Sequence, residues 1–371
     1  MTAYIHNIAT EVPEQIYRQD FLRDKMKQYL SDDRATRSII HRIYSRSGID
    51  KRHTVVNDFN ANGDPRLFFQ QDGTLAAPST GARNDLYASH AKKLFVQIAQ
   101  SLLENSSGVK AGDITHVITV SCTGFFAPGP GYEIVKQLSL KPSTQRFHLG
   151  FMGCFAAFPA LKMAKSFCET QEDAVVMIIC LELCSLHFQK SEETDNLISA
   201  SVFADGGGGA LVSSRTPESG STVYQLQDFA TSIVEQSEQD MAWTIGDTGF
   251  DMVLSTYVPE LIDSNLRSSV MPLLESYNTG ISQIQHWAIH PGGRAILDKV
   301  EQNLGIAAGQ LASSRAVLAD YGNMSSATIL FVLKHLLTQP METPAEPERV
   351  LAMAFGPGLT VESGLLLKTR T

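Results

Sequence analysis

Three residues in this sequence have the types and settings to carry covalent chemistry together. Cys154, in GFMGCFAAFPALKMAKSF, stands just ahead of an apolar, helix-like run. His290 closes the short run HWAIH, and the PGG that follows ends a strand at once. Asn323, in DYGNMSSATIL, sits between Gly322 and a second helix-like run, where Asn, Ser and Gly cap well. A cysteine thiolate is a strong nucleophile toward thioesters. A histidine can hold it as an ion pair, and helix N-terminal N–H groups lower a thiol pKa further. His and Asn together supply two donors for a developing oxyanion. In a decarboxylative condensation that oxyanion is an enolate, which a neutral Asn donor suits. Each residue alone has a plainer reading: a cysteine as buried apolar filler, a His or Asn at an element boundary as a hydrogen-bonded cap.

Such residues need elements that end where they stand, and reactive side chains in open α/β sheets lie just beyond the carboxyl ends of strands. The first ~110 residues are helix-like, with FLRDKMKQYL and YASHAKKLFVQIAQSLLEN repeating apolar positions at helical spacing. NDFNANGDPRL and QQDGTLAAPSTGARND read as loops. Then come short runs rich in Val and Ile: ITHVITVSCTG, DAVVMIICLELC, ALVSS, QHWAIHPGG and RVLAMAFGPG. These suit strands buried on both faces. AILDKVEQNLG and SSATILFVLKHLL lie between them as helices, so the pattern predicts a layered α/β fold. TVESGLLLKT, after FGPG, reads as a returning hairpin strand. Pro159 suits a first helical turn and not a helix interior, which puts the helix start near Phe158 and Cys154 on the turn ahead. SSRTPESGST, residues 213–222, is a polar seam between two α/β parts. ADGGGGAL lacks the Lys-Ser/Thr of a phosphate loop and the spacing of a dinucleotide fingerprint, so close backbone packing is its expected role.

The bulk numbers narrow the classes. With 30 Lys+Arg against 39 Asp+Glu the 371-residue chain carries −9, which argues against general binding to nucleic acid or anionic membranes. No apolar run reaches the ~18 residues of a membrane span, and MTAYIHNIATEVPE lacks a signal-peptide pattern. Five cysteines without paired CxxC motifs point to reduced thiols and a cytoplasmic protein, with no metal site expected.

GCFA, IHPGGRAILDKVE, YGNMSSATILF and FGPGLTVE resemble, in order and at similar intervals, the signatures of the type III polyketide synthases, which include plant chalcone and stilbene synthases. The resemblance runs from about Arg42 to the C-terminus. It implies an α/β thiolase-like fold in five layers (αβαβα) made of two similar α/β halves, here 1–215 with the nucleophile and 216–371 with His and Asn, assembled as a homodimer. It implies that Cys154 carries the acyl chain, that His290 and Asn323 assist decarboxylation of malonyl-CoA, and that no cofactor is needed, the CoA thioesters being substrates. Phe203 matches a gatekeeper between CoA tunnel and reaction cavity, and Met252 stands where plant enzymes have a second gatekeeper Phe. Arg42, Arg46 and Ala295 match contacts to CoA. Trp243 replaces a glycine of the plant cyclisation cavity and His187 a threonine. Cys122 and Cys184 fall on threonine-like pocket positions, Thr123 and Ser325 on serine-like ones. Ala354 replaces the first glycine of the usual GFGPG, a minor packing change. The large Trp243 and His187 argue for a small starter and a short chain, unless the acyl tail leaves through another tunnel. The expected reaction loads an acyl-CoA starter and extends it with malonyl-CoA, ending in a pyrone or phenol. The alternatives are a single-round β-ketoacyl synthase and a silent thiolase-fold partner subunit.

Overall fold

The computed structural model describes all residues except 61–65, 107, 236, 256–257 and 342–345. The expected NDFNANGDPRL loop therefore lies partly outside the described residues. The N-terminal part holds β1 (Ala3–Glu11), β2 (Ile16–Arg18), α1 (Gln19–Tyr29), α2 (Arg34–Ser45), β3 (Lys51–His53), α3 (Thr80–Glu104) and β4 (His116–Ser121). It continues with α4 (Pro130–Gln137), β5 (Gln145–Gly150), α5 (Ala157–Thr170), β6 (Val175–Leu183), α6 (Thr194–Val202) and β7 (Asp205–Ser213). After the polar seam come β8 (Thr222–Ile233), β9 (Met241–Gly246), β10 (Gly249–Leu254), α7 (Val258–Ser276), β11 (His286–Ile289) and α8 (Arg294–Leu304). The chain closes with α9 (Ala312–Tyr321), α10 (Thr328–Leu337), β12 (Glu348–Gly356) and β13 (Thr360–Arg370).

One sheet runs β11-β12-β13-β8-β1-β7-β6-β4-β5, with β9–β10 and β2–β3 as separate ribbons. The sheet contains the same arrangement twice. β4-β6-β7-β1 pair parallel, antiparallel and antiparallel, and β11-β12-β13-β8 repeat those senses in that order. α5 and α10 enter β6 and β12 respectively, so they are equivalent helices. Both are packed in the middle of the molecule, sharing one core of Phe158, Leu161, Ile329, Leu330 and Leu333. α3 covers the outer face of one half-sheet, and α7 with α8 covers the other. The result is the five-layer thiolase-like architecture. No repeat is readable in the sequence because the halves share topology rather than side chains.

The run Gly206–Gly209 sits inside β7, between these layers. A Cβ at Gly206 would stand 2.3 Å from Met324 Sδ and one at Gly208 3.0 Å from Leu330, both on the α10 side. At Gly207 and Gly209 it would stand 2.4 Å from Ile98 and 2.7 Å from Leu102 of α3. The alternation is the period of a strand, and the glycines let a helix close on each face. The tail β13 returns antiparallel along β12. Among the described residues no helix is long and apolar enough to cross a membrane.

Candidate active site

Cys154 lies on the turn between β5 and α5, three residues ahead of the first helical one. Ala156 N–H donates to Gly153 O at 3.1 Å to make that turn. Gly153 has φ +79°, and a Cβ there would press 2.5 Å from Pro357 of the FGPG loop. The glycine thus lets the C-terminal loop close over the nucleophile's turn. Helix α5 begins at Ala157, one residue earlier than the sequence predicts, with Pro159 in its first turn. There its missing N–H costs no helical hydrogen bond.

His290 continues β11 by one bond, its N–H donating to Met353 O at 2.8 Å, before Pro291 ends the strand. Its ring is buried, and neither ring nitrogen has a hydrogen-bond partner. Asn323 follows Gly322, whose φ of +73° turns the chain out of α9. Asn323 N–H donates to Val202 O at 2.8 Å and Asn323 O accepts from Ala204 N–H at 2.9 Å. This isolated bridge locks Phe203 beside Asn323. The Asn323 amide is oriented from both ends: Nδ2 donates to Gly292 O at 3.2 Å, and Oδ1 accepts from Ser325 N–H at 2.8 Å. That leaves one N–H of the amide for a ligand. Cys154 Sγ lies 3.9 Å from Asn323 Oδ1.

One cavity of about 30 Å³ is lined by Cys154, His290 and Asn323 together with Phe203, Trp243, Met252, Cys122 and Ser325. Eight of the sequence-derived residues meet there. A second cavity on the far side of Phe203 takes Cys184 and His187. Thr123 lines neither: its hydroxyl donates to Glu182 at 2.9 Å and accepts from Leu183 N–H at 2.9 Å. Arg42, on the exposed face of α2, and Arg46, just past its end, stand one turn apart, and Ala295 is exposed at the start of α8. The turn after α2 meets α8, since a Cβ on Gly48 would touch Arg294 at 3.4 Å.

Burial acts against the ion pair that the residue types suggest. Burial pushes the Cys154 thiol up to about 11, against hydrogen bonds from Ser325 and Asn323 that pull it down. Burial also pushes His290 down to about 3. Both shifts favour the neutral forms, so burial works against a standing thiolate–imidazolium pair. The low-dielectric cavity penalises either charge when it stands alone.

The wall carrying Trp243 and Met252 is the β9–β10 ribbon, in which the two residues are direct cross-strand partners. Trp243 Nε1–H donates to Cys122 O at 2.8 Å. His187 Nε2–H donates to Thr123 O at 2.7 Å, and Nδ1 accepts from Phe250 N–H at 3.0 Å. Both ring nitrogens are spent, which fixes the neutral tautomer, and burial pushes the ring down to about 4. His187 also stacks on Phe250 at 4.1 Å. It pins the ribbon rather than reaching into the reaction cavity. At the ribbon's turn, Thr80 of α3 donates its N–H to Asp247 O and accepts from Gly249 N–H, each at 2.8 Å.

Two supports were missed in the sequence. Glu182, buried at the end of β6, accepts from Cys122 N–H and Thr123 Oγ1–H at 2.9 Å each and from Ser326 Oγ–H at 2.5 Å. It ties the end of β4 to the turn that carries Asn323, and burial raises its pKa. Arg52, also buried, donates from Nη1 to Ala200 O at 2.8 Å and Phe203 O at 2.6 Å, fixing the gate's backbone. The only signal for Glu182 was a lone acid inside an apolar strand run, which invites a partner search. Arg52 gave none, lying among surface-like charges.

The family described as chalcone and stilbene synthases matches in two parts, its N-terminal domain over residues 2–216 and its C-terminal domain over 225–370. Bisdemethoxycurcumin synthase of Oryza sativa subsp. japonica is 32% identical over 373 residues, spanning 98% of this chain and 91% of that protein. The alpha-pyrone synthesis polyketide synthase-like Pks18 of Mycobacterium tuberculosis is 31% identical over 367 residues, 98% and 90% of the two chains. The crystal structure of PKS-I from the brown alga Ectocarpus siliculosus superposes with a TM-score of 0.91 at 28% identity, covering 99% of this chain and 98% of that one.

Proposed function

The chain belongs to the chalcone and stilbene synthase family and is a type III polyketide synthase, an acyltransferase that condenses with decarboxylation; from that premise we propose roles for its residues. Cys154 attacks the starter's thioester carbonyl, its proton passes to a His290 nitrogen, and CoA leaves as the thiol by taking that proton back. Malonyl-CoA then loses CO₂, the enolate carbon attacks the Cys154 thioester and the bond to Sγ breaks, which leaves the lengthened chain on CoA and frees Cys154 to take it up again. The enolate oxygen is held by the open N–H of Asn323 and by His290. Phe203 helps exclude water, and repeated extension ends in cyclisation to a pyrone or phenol. No cofactor takes part. The observation that carries this reading is a buried His290 with both nitrogens unpartnered, lining one cavity with Cys154 and the half-used amide of Asn323.

Arg42, Arg46 and Ala295 take the CoA end, on the surface where the turn after α2 meets α8. The halves divide at 215/216, in the loop between the two repeats of strand order. A homodimer forms along the open edge of β5, beside Phe125 and Tyr132, each 40% exposed. Five unpaired cysteines favour the reducing cytoplasm. The full set of nucleophile, His and Asn disfavours a silent subunit. Free malonyl-CoA as extender, rather than a carrier-bound malonyl group, separates this reading from a single-round synthase. Labelled malonyl-CoA with a panel of acyl-CoAs tests it: the expected result is a mass adduct on Cys154 and products longer by four or more carbons. Products that stop after one condensation and require an acyl carrier protein would overturn it.

A further inference from the structure

Helix α6 ends at Val202, so its last carbonyls have no further turn to bond them. The carbonyls from Ala200 to Phe203 are taken instead by donors from elsewhere in the chain. Ala200 O accepts from Arg52 Nη1–H at 2.8 Å and from Tyr44 Oη–H at 3.1 Å. Ser201 O accepts from Gln19 Nε2–H at 2.7 Å, and Val202 O from Asn323 N–H at 2.8 Å. Phe203 O accepts from Arg52 Nη1–H at 2.6 Å. The gate is thus placed by α1, α2, β3 and the turn into α10 as much as by its own helix.

Arg52 is the donor that spans two of these carbonyls. Its side chain is buried, and Nε–H donates to Gln19 Oε1 at 3.0 Å. A cation at a helix C-terminus is favoured by the dipole, and the planar fork of Arg serves acceptors in several directions at once. Its stem reaches the neighbouring site residue as well. A Cβ on Gly322 would stand 3.0 Å from Arg52 Cγ and 3.0 Å from Val202 O. One side chain therefore touches the backbone of Phe203 and the turn that delivers Asn323. β3 is itself strapped to α9: Asp50 N–H donates to Ala319 O at 2.8 Å, and His53 stacks on Tyr321 at 5.9 Å.

We propose that Arg52 is a positioning residue for decarboxylation. It sets the spacing between the Phe203 gate and the Asn323 turn, and so holds the open N–H of Asn323 where the enolate oxygen forms. This rests on the reading of Asn323 as the enolate's donor. Arg52 touches no reacting atom and acts through the backbone of the two residues it braces. Tyr44 assists from α2, the helix whose exposed face carries Arg42, so the CoA end and the gate share one element.

The test compares two half-reactions of the full chain: acylation of Cys154 by a starter acyl-CoA, read by intact mass, and CO₂ release from labelled malonyl-CoA. Arg52→Met removes the cation, and Arg52→Lys keeps a charge without the fork. In both, kcat for CO₂ release is expected to fall about 10- to 100-fold, further in Met than in Lys. KM for malonyl-CoA and the rate of Cys154 acylation are each expected to stay within about twofold. Tyr44→Phe removes one of the two donors on Ala200 O. It should show the same split at about threefold, and it decides should neither Arg52 variant fold. A folded variant in which both rates fall together, or neither changes, overturns the proposal. Asn323→Ala, run alongside, separates the two failures: undiminished CO₂ release there brings down the donor reading, and the role of Arg52 with it.

Discussion

Cys154, His290 and Asn323 stand at the ends of elements in the central layers, α5, β11 and the turn into α10. Trp243 and Met252 face the same cavity from a two-stranded ribbon outside the nine-stranded sheet. The first group is held by backbone bonds that the sheet and central helices cannot lose without unfolding. The second is held by a few contacts to the ribbon: Thr80 at its turn, the ring of His187 and the indole bond to Cys122. Reactivity sits on the rigid part and selectivity on a part that can be reshaped at little cost in stability. Substitutions on the two parts should therefore separate rate from product.

The largest effect is expected at the nucleophile. Cys154→Ala should lower condensation by on the order of 10⁴-fold or more, because no acyl-enzyme can form. Intact-protein mass after incubation with acyl-CoA checks it, with the adduct expected only in the unmodified enzyme. Asn323→Ala comes next: loss of one oxyanion donor should slow malonyl-CoA decarboxylation about 10²–10³-fold. Cys154 should still become acylated in that variant. Near-normal decarboxylation would remove Asn323 from the role and break the contrast at its rigid end.

The pH dependence of the thiol is a milder probe of the same part. With Cys154 pushed up to about 11 and His290 down to about 3, both are neutral across the range between. Raising the pH populates the thiolate, while His290 changes no charge. Alkylation of Cys154 by iodoacetamide should therefore rise about tenfold per unit from about pH 7 to about pH 10. Ser325→Ala should move the curve to higher pH, because the Ser325 hydrogen bond favours the thiolate. A plateau near neutral pH would reveal a standing ion pair with His290.

The same division explains what the sequence made legible. The strands flanking the reactive residues are Val- and Ile-rich runs cut short by Gly and Pro, and such signals are local. His290 and Asn323 fall at breaks of that kind, and Cys154 just ahead of an apolar helix. The ribbon gave no comparable signal. MAWTIGDTGFDMVL, between β8 and α7, has neither a strong alternation nor an Asn-Gly turn, and its position depends on Thr80 and His187, far away in the chain. Sequence reasoning could weigh the volume of Trp243 but not see that its ring separates two cavities. Nor could it tell that His187, aligned with a pocket threonine, spends both nitrogens on backbone. The pull of burial toward the neutral forms of Cys154 and His290 was hidden for a related reason: burial is a property of the assembled layers.

The smallest effect on stability should fall on the ribbon. Trp243→Phe keeps an aromatic wall but removes the Nε1–H bond to Cys122 O. One such bond contributes about 1 kcal/mol net, and the carbonyl left behind lies at the cavity's edge, where water can replace the indole. For a chain of this size that amounts to a fall in Tm of about 2 °C or less. The smaller ring also opens the partition that Phe203, Trp243 and Met252 form between the two cavities. Product length, read by mass spectrometry on a fixed acyl-CoA, should therefore shift toward additional extensions even though the melting curve barely moves. A variant that melts many degrees lower with an unchanged product would mean that the ribbon is part of the rigid frame after all, and the separation of rate from selectivity would fail where it predicts most.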